Sequence, residues 1–146
     1  MDLGIKDKVA FITGASSGIG LSTAEAFVKE GARVIICGRN QEKLEEAKKQ
    51  IKQNTGAEVG AYACDTSKFD QVEKTVNQIV KEYKRIDILI NNAGKAQAGG
   101  VVDAKPEDWK SMIDVKIYSL INTCKLIAPI MKKNKWGRIV NMSSIG

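Results

Sequence analysis

The feature that most limits what this chain can fold into is an alternation of short apolar runs with longer segments of helical period. Val9-Ala10-Phe11-Ile12-Thr13, Arg33-Val34-Ile35-Ile36-Cys37 and Asp87-Ile88-Leu89-Ile90 carry no polar alternation. A strand wetted on one face would show it; unbroken runs belong to strands covered on both faces. Val59 to Cys64 makes a weaker third strand, and Arg138-Ile139-Val140-Asn141-Met142, after Trp136-Gly137, makes a fifth. Between them, segment 18–30 has helical character. Asn40 is placed to cap a helix with apolar positions Leu44, Ala47 and Ile51 that stops near Gly56. Ser67, with Asp70 three residues on, is placed to cap the next, whose stripe is Phe69, Val72, Val76, Ile79, Val80 and Tyr83. Pro106 suits the first turn of a last helix, followed at helical spacing by Trp109, Met112, Ile113, Ile117, Leu120, Ile121 and Cys124. The order β-α-β-α-β-α-β-α-β, with crossovers of this length, predicts an α/β fold built on a doubly wound parallel sheet. Right-handed crossovers set the strand order 3-2-1-4-5, with the switch point between strands 1 and 4. No linker, repeat or low-complexity stretch divides residues 1–146, which read as a single domain.

Composition then removes whole classes of function. Apolar residues make up 43% and charged residues 27% of the 146 residues, the usage of an ordinary globular domain rather than a disordered or fibrous chain. No histidine is present, so a histidine-dependent triad is excluded. Cys37, Cys64 and Cys124 stand far apart in the sequence without a CxxC, against both a disulfide framework and a zinc site. No apolar run reaches membrane-spanning length, and Met1 to Lys8 has no h-region of a signal peptide; the expectation is a cytoplasmic protein. The net charge is +6, yet the lysines mostly alternate with Glu and Gln, as in Gln41 to Lys49, which is the pattern of a solvated helix surface. Neither nucleic acid nor membrane is an expected partner.

The chemistry lies in the strand-to-helix turns. Thr13-Gly14-Ala15-Ser16-Ser17-Gly18-Ile19-Gly20 has the glycine spacing GxxxGxG, and no Gly-Lys-Ser/Thr ending that would mark a P-loop. Small residues there let the backbone approach a pyrophosphate, whose charge faces the N–H groups and positive end of the following helix. Gly14, Ser16, Ser17, Gly18, Ile19 and Gly20 are the candidates, and the domain is expected to be a Rossmann-like, dinucleotide-binding one. Strand 2 ends Cys37-Gly38-Arg39-Asn40. A carboxylate expected for the ribose 2′-hydroxyl of NAD is missing, while Arg39 offers a planar, bidentate partner for a 2′-phosphate. NADP(H) is therefore the favoured cofactor and NAD(H) the alternative.

Thr13–Gly20, Asn91-Asn92-Ala93-Gly94 after strand 4, and Gly137-Arg138-Ile139-Val140-Asn141-Met142-Ser143-Ser144 together resemble three landmark segments of the short-chain dehydrogenase/reductase family, in the right order along the whole chain. The resemblance implies hydride transfer between a nicotinamide cofactor and a small carbonyl or secondary alcohol, in a homo-oligomer. It implies that the asparagines after strand 4 brace the sheet, that Asn92, Ala93 and Gly94 lie along the cofactor ribose, and that Asp65 and Thr66 contact adenine; an Asp that caps the next helix is the competing reading of Asp65. It implies an active site of Asn, Ser, Tyr and Lys, in which Ser144 matches the serine that orients the carbonyl and Ser143 is its structural neighbour.

Two departures stand beside those matches. Where the family carries Asn on the fourth helix, this chain reads Asp114-Val115-Lys116, so Lys116 is the candidate for that part of the site. The Tyr-x-x-x-Lys expected about a dozen residues past Ser144 does not occur before Gly146, and Tyr62, Tyr83 and Tyr118 come too early to replace it. The resemblance thus implies an N-terminal portion, without the family's last strands and helices and inactive alone. A non-catalytic dinucleotide-binding or interaction module is the alternative. Such a portion is expected to leave strand 5 as an open edge, with Ile88, Leu89, Ile90, Ile139 and Val140 partly wetted, and to self-associate there.

Overall fold

The computed structural model describes residues 2–94 and 102–143. Five strands, β1 (Val9–Thr13), β2 (Arg33–Gly38), β3 (Gly60–Ala63), β4 (Ile88–Asn91) and β5 (Arg138–Asn141), form one parallel sheet in the order β3-β2-β1-β4-β5. This is the order predicted from the crossovers. Phe11 lies between Ile35 and Leu89 in register. Because successive side chains point to opposite faces, Ala10, Ile12, Val34, Ile36, Ile88 and Ile90 enter one core and Val9, Phe11, Ile35, Cys37 and Leu89 the other. Both faces of β1, β2 and β4 are dry, which is why these three strands carry no polar alternation.

Helices α1 (Gly18–Lys29) and α2 (Gln41–Thr55) cover the first face through Leu21, Ala24, Leu44, Ala47 and Ile51. Helix α3 (Phe69–Tyr83) covers the second through Val72, Val76 and Ile79. Helix α2 begins and ends as read from sequence: Asn40 Oδ1 accepts the Lys43 N–H at 2.9 Å, and Gly56 closes it with φ 77°. Helix α3 differs. Its N-cap is Lys68, with no side-chain cap, and Ser67 sends both its N–H (3.0 Å) and its hydroxyl (2.7 Å) to Asp65 Oδ1. An Asx turn at Asp65 engages Ser67 before the helix can.

The last predicted helix is broken in phase. Helix α4 (Pro106–Ile113) passes through a single π-helical turn, Asp114–Tyr118, into α5 (Ser119–Lys133). Helix α5 then covers the second face through Ile127 and Met131. The wider turn rotates α5 relative to α4, so the expected apolar stripe fails at Ile113, Ile117 and Ile121, which are 48%, 52% and 46% exposed. Buried polar residues Ser119, Asn122 and Thr123 take the inward positions instead.

The expected wetting of β4 is also corrected: Ile88, Leu89 and Ile90 are all buried, and Trp136, under Lys8 (4.3 Å) and Arg138 (4.9 Å), packs against the first core. Ile139 and Val140 are 39% and 44% exposed, as expected for β5. Among the described residues, no helix is long and apolar enough to cross a membrane.

Candidate functional site

A crevice opens where the chain leaves β1 and β4 toward opposite faces of the sheet. Thr13, at the end of β1, closes its floor: Oγ1 accepts the N–H groups of Asn92 and Ala93, each at 3.0 Å, and donates to the Ile90 carbonyl at 3.3 Å. Asn92 returns the contact, its Nδ2 donating to the carbonyls of Thr13 (3.2 Å) and Gly14 (3.1 Å). The turn after β4 is thus pressed against the glycine turn. At Gly14, with φ 64°, a Cβ would stand 2.8 Å from Ala93 Cα; at Gly20 one would stand 2.5 Å from Asn92 Nδ2 and from the Gly14 carbonyl. Those two glycines serve packing within the turn.

Gly18 serves something else. Its φ of 55° is left-handed, yet a Cβ there would meet nothing within 4 Å, so its open side faces space rather than protein. Ser17, the N-cap of α1, makes no side-chain cap bond, and the first turn of α1 contains no acid. Helices α2, α3 and α4 each carry an acid in the first turn. The positive end of α1 therefore opens on the crevice with no acid of its own first turn to compensate it, the arrangement a diphosphate fits.

The crevice has two lobes. The smaller, about 210 Å³, is lined by Gly14, Ser16, Ser17, Gly38, Arg39, Asp65 and Thr66, with Ala93 and Gly94 at its inner edge. Arg39 follows directly on β2, is exposed, and makes no salt bridge among the described residues. Asp65 uses one carboxylate oxygen for the Ser67 turn and does not cap α3, whose N-cap is Lys68, so the helix-capping reading of it is corrected. Thr66 is buried, and its hydroxyl donates to Ser119 Oγ at 2.9 Å. That bond uses the only proton of the hydroxyl, so a ligand donor alone could still reach its oxygen. Cys37 and Cys64, far apart in sequence, meet at the floor of this lobe.

The larger lobe, about 480 Å³, is walled by Thr13, Asn92, Lys116, Leu120, Asn141 and Ser143, with the exposed Ile19 and Ile117 at its side. Lys116 arrives on the π-helical turn. Ser144 lies outside the described residues. Beneath this lobe Thr123 Oγ1 donates to Asn91 Oδ1 at 2.7 Å, and Asn91 Nδ2 donates to Asn141 Oδ1 at 2.9 Å, tying β4, β5 and α5 together. Asn91 thus braces the sheet while Asn92 braces the glycine turn. Thr13, Ser119 and Asn122 were not singled out from sequence. The signal available for the last two was polarity inside an otherwise apolar helical stripe. Asn122 Nδ2 donates to the Thr66 carbonyl at 3.1 Å, beside the Thr66–Ser119 bond.

Strand order, switch-point crevice and exposed helix terminus define a Rossmann-like α/β domain. The family model described as short chain dehydrogenase matches residues 8–146. Among curated proteins, the chain is 38% identical over 141 residues to a 3-oxoacyl-[acyl-carrier-protein] reductase of Thermotoga maritima, covering 97% of this chain and 57% of that one. It is 45% identical over 131 residues to a 3-dehydrosphinganine reductase of Arabidopsis thaliana, covering 90% of this chain and 39% of that one. Among solved structures, an NAD+-bound xylitol dehydrogenase superposes with a TM-score of 0.90 at 32% identity, over 96% of this chain and 54% of that one. L-Sorbose reductase from Gluconobacter frateurii, complexed with NADPH and L-sorbose, gives 0.87 at 34%, over 95% and 53%. The chain belongs to the short-chain dehydrogenase/reductase family, and it spans about half the length of these relatives.

Proposed function

We propose that residues 1–146 form a single domain holding the cofactor site of an NADP(H)-dependent oxidoreductase that interconverts a carbonyl and a secondary alcohol. The observation that carries this reading is the N-terminus of α1, without an acid in its first turn, beside the open side of Gly18. The relatives' names differ in substrate (a 3-oxoacyl carrier, 3-dehydrosphinganine, xylitol, L-sorbose) but agree in reaction type, which supports the class and leaves the substrate open.

When bound, the nicotinamide supplies the hydride. The chain's own residues position it. Gly14, Ser16, Ser17, Gly18, Ile19 and Gly20 cradle the diphosphate, with the α1 N–H groups compensating its charge. Arg39 pairs with the 2′-phosphate, its guanidinium matching the phosphate oxygens two at a time. Asp65, through its second carboxylate oxygen, and Thr66 meet the adenine. Asn92, Ala93 and Gly94 run along the ribose toward the larger lobe. Ser144 orients the substrate oxygen, and Lys116, at the wall of that lobe, stands where the family has Asn. The protein acts in the cytoplasm as a homo-oligomer on small molecules.

A second reading, a dinucleotide-binding module without turnover, is favoured by one observation: among the described residues, no tyrosine lines either lobe.

The test is a fluorescence titration of the chain with NADPH and NADH separately. NADPH is expected to bind at least tenfold more tightly, and Arg39→Ala to lose about 10- to 100-fold in NADPH affinity, the worth of a charge-assisted bond of about 1.5–3 kcal/mol, while NADH binding stays level. Equal affinity for the two cofactors overturns the role of Arg39. Binding of neither by a folded chain overturns the reading.

A further inference from the structure

We propose that the larger lobe takes carbonyl compounds whose apolar body carries one anionic group, a carboxylate, and that Lys116 is the residue that selects them. The inference deepens the reading above and rests on it, since the substrate must lie in this lobe.

The π-helical turn makes the placement. Its five residues, Asp114–Tyr118, reach both lobes: Val115 lines the smaller, while Lys116 and Ile117 line the larger. Ser119, directly after the turn, is held to Thr66 at 2.9 Å, so the segment that presents Lys116 is anchored at its C-terminal side.

The charge of the lobe is one-sided. Among the described residues that line it, Lys116 is the one cation and there is no acid. Lys116 makes no salt bridge among the described residues, and Asp114, two positions earlier, is engaged by Lys110 at 2.8 Å. The remaining polar groups of the wall are neutral and already occupied with one another. Asn92 Nδ2 donates to the carbonyls of Thr13 and Gly14, and Asn141 Oδ1 accepts from Asn91. A single ammonium matches a carboxylate; a phosphate dianion would bring a second charge that nothing here meets.

Around that cation the wall is apolar. Ile19, Ile117 and Met142 are exposed, and Leu120 stands between them and the buried Ser119. An alkyl or aryl body laid against them leaves water. It also displaces water from the ammonium, and the attraction between unlike charges strengthens as the surroundings become less polar. An amide in this position would offer hydrogen bonds to acids and neutral ketones alike. Lysine offers a compact positive charge with three donors on a flexible stem, so it separates the acid from its neutral analogue.

The experiment follows amide resonances of the nitrogen-15-labelled chain, with and without NADPH, during titration with 4-oxooctanoate and with 4-octanone. These two ligands differ by a carboxylate in place of a methyl group. Both should move the resonances of Lys116, Leu120 and Ser143. At low salt the oxo acid should bind about fivefold more tightly, the upper range for an exposed ion pair, and the advantage should vanish near about 1 M salt, where screening acts within about 3 Å. Lys116 is exposed, so Lys116→Gln should fold, as its spectrum will show, and should bind the two ligands equally; Lys116→Arg should keep the preference. Equal affinities in the wild-type chain, a preference that survives Lys116→Gln, or no movement of the lobe's resonances overturns the proposal. So does a Lys116→Gln chain that loses NADPH affinity while it keeps the preference, which would assign the cation to the cofactor's phosphates. A chain that binds no NADPH yet shows the Lys116-dependent preference removes the cofactor reading and leaves Lys116 as the residue that recognises the acid.

Discussion

Three glycines in one turn are held for two different reasons, and substitution separates them. Gly20→Ala forces a Cβ to within 2.5 Å of a backbone oxygen and an amide nitrogen, overpacking that costs about 1–3 kcal/mol or more. Gly18→Ala meets no neighbour and pays only for its left-handed backbone, about 1–2 kcal/mol. Thermal melts should therefore show Gly20→Ala as the less stable protein. Gly18→Ala should fold and lose cofactor affinity, because its methyl stands at the start of α1 where the proposed diphosphate rests; a folded Gly18→Ala with unchanged NADPH affinity would sink the assignment of its open side to a ligand. From sequence all three glycines read alike. What distinguishes them, the approach of Asn92 and Ala93 across the sheet, is a contact between segments nearly eighty residues apart. Asp87 is a parallel case. It reads as the polar start of an apolar run, but it is wholly buried, accepting from the Val9 N–H at 2.9 Å and from Arg85 through both oxygens.

At the level of elements, strands and the first two helices were legible because their signals are local: unbroken apolar runs, an Asn cap, a left-handed glycine stop. The π-helical turn was not. Nothing in Asp114-Val115-Lys116-Ile117-Tyr118 announces a widened turn; it comes from seating Ser119, Asn122 and Thr123 against Thr66 and Asn91. Helical spacing carried straight through these residues places Ile113, Ile117 and Ile121 inside, where they are not. Strand β5 pairs with β4 alone among the described residues and leaves Ile139, Val140 and Met142 half exposed. Such an edge invites pairing with another chain. Sedimentation velocity over a concentration series should show association of the chain, and Val140→Lys should weaken it by placing a charge on the edge. A wild-type chain that stays monomeric throughout would contradict this.

Over the whole molecule, topology was the most legible property, since crossover length and handedness leave few ways to wind a parallel sheet. The position of the crevice came with the topology, whereas its lining came only in part, because the thiol floor and the Thr13 clamp arise from register between strands. The outer rim of β3 carries a pH dependence. Burial, with Glu82 beside them, raises the phenols of Tyr62 and Tyr83 above their ordinary value near 10, and Tyr62 donates to Glu82 at 2.6 Å. The native state holds these protons where the unfolded chain has lost them, so their contribution is complete below pH 10 and declines as pH rises beyond it. Melting temperature should fall above pH 10, and Tyr62→Phe should make that fall shallower; an unchanged slope would place the alkaline sensitivity elsewhere.

The hydroxyl bond between Thr66 and Ser119 joins the loop beneath the smaller lobe to the start of α5, directly after the turn that carries Lys116. With the Asn122–Thr66 bond beside it, two stations at opposite ends of one groove are thereby yoked through a pair of short links. A nucleotide fragment that settles only into the narrow end should still steady the far wall, arranging the place of reaction before the reactive part of any cofactor arrives.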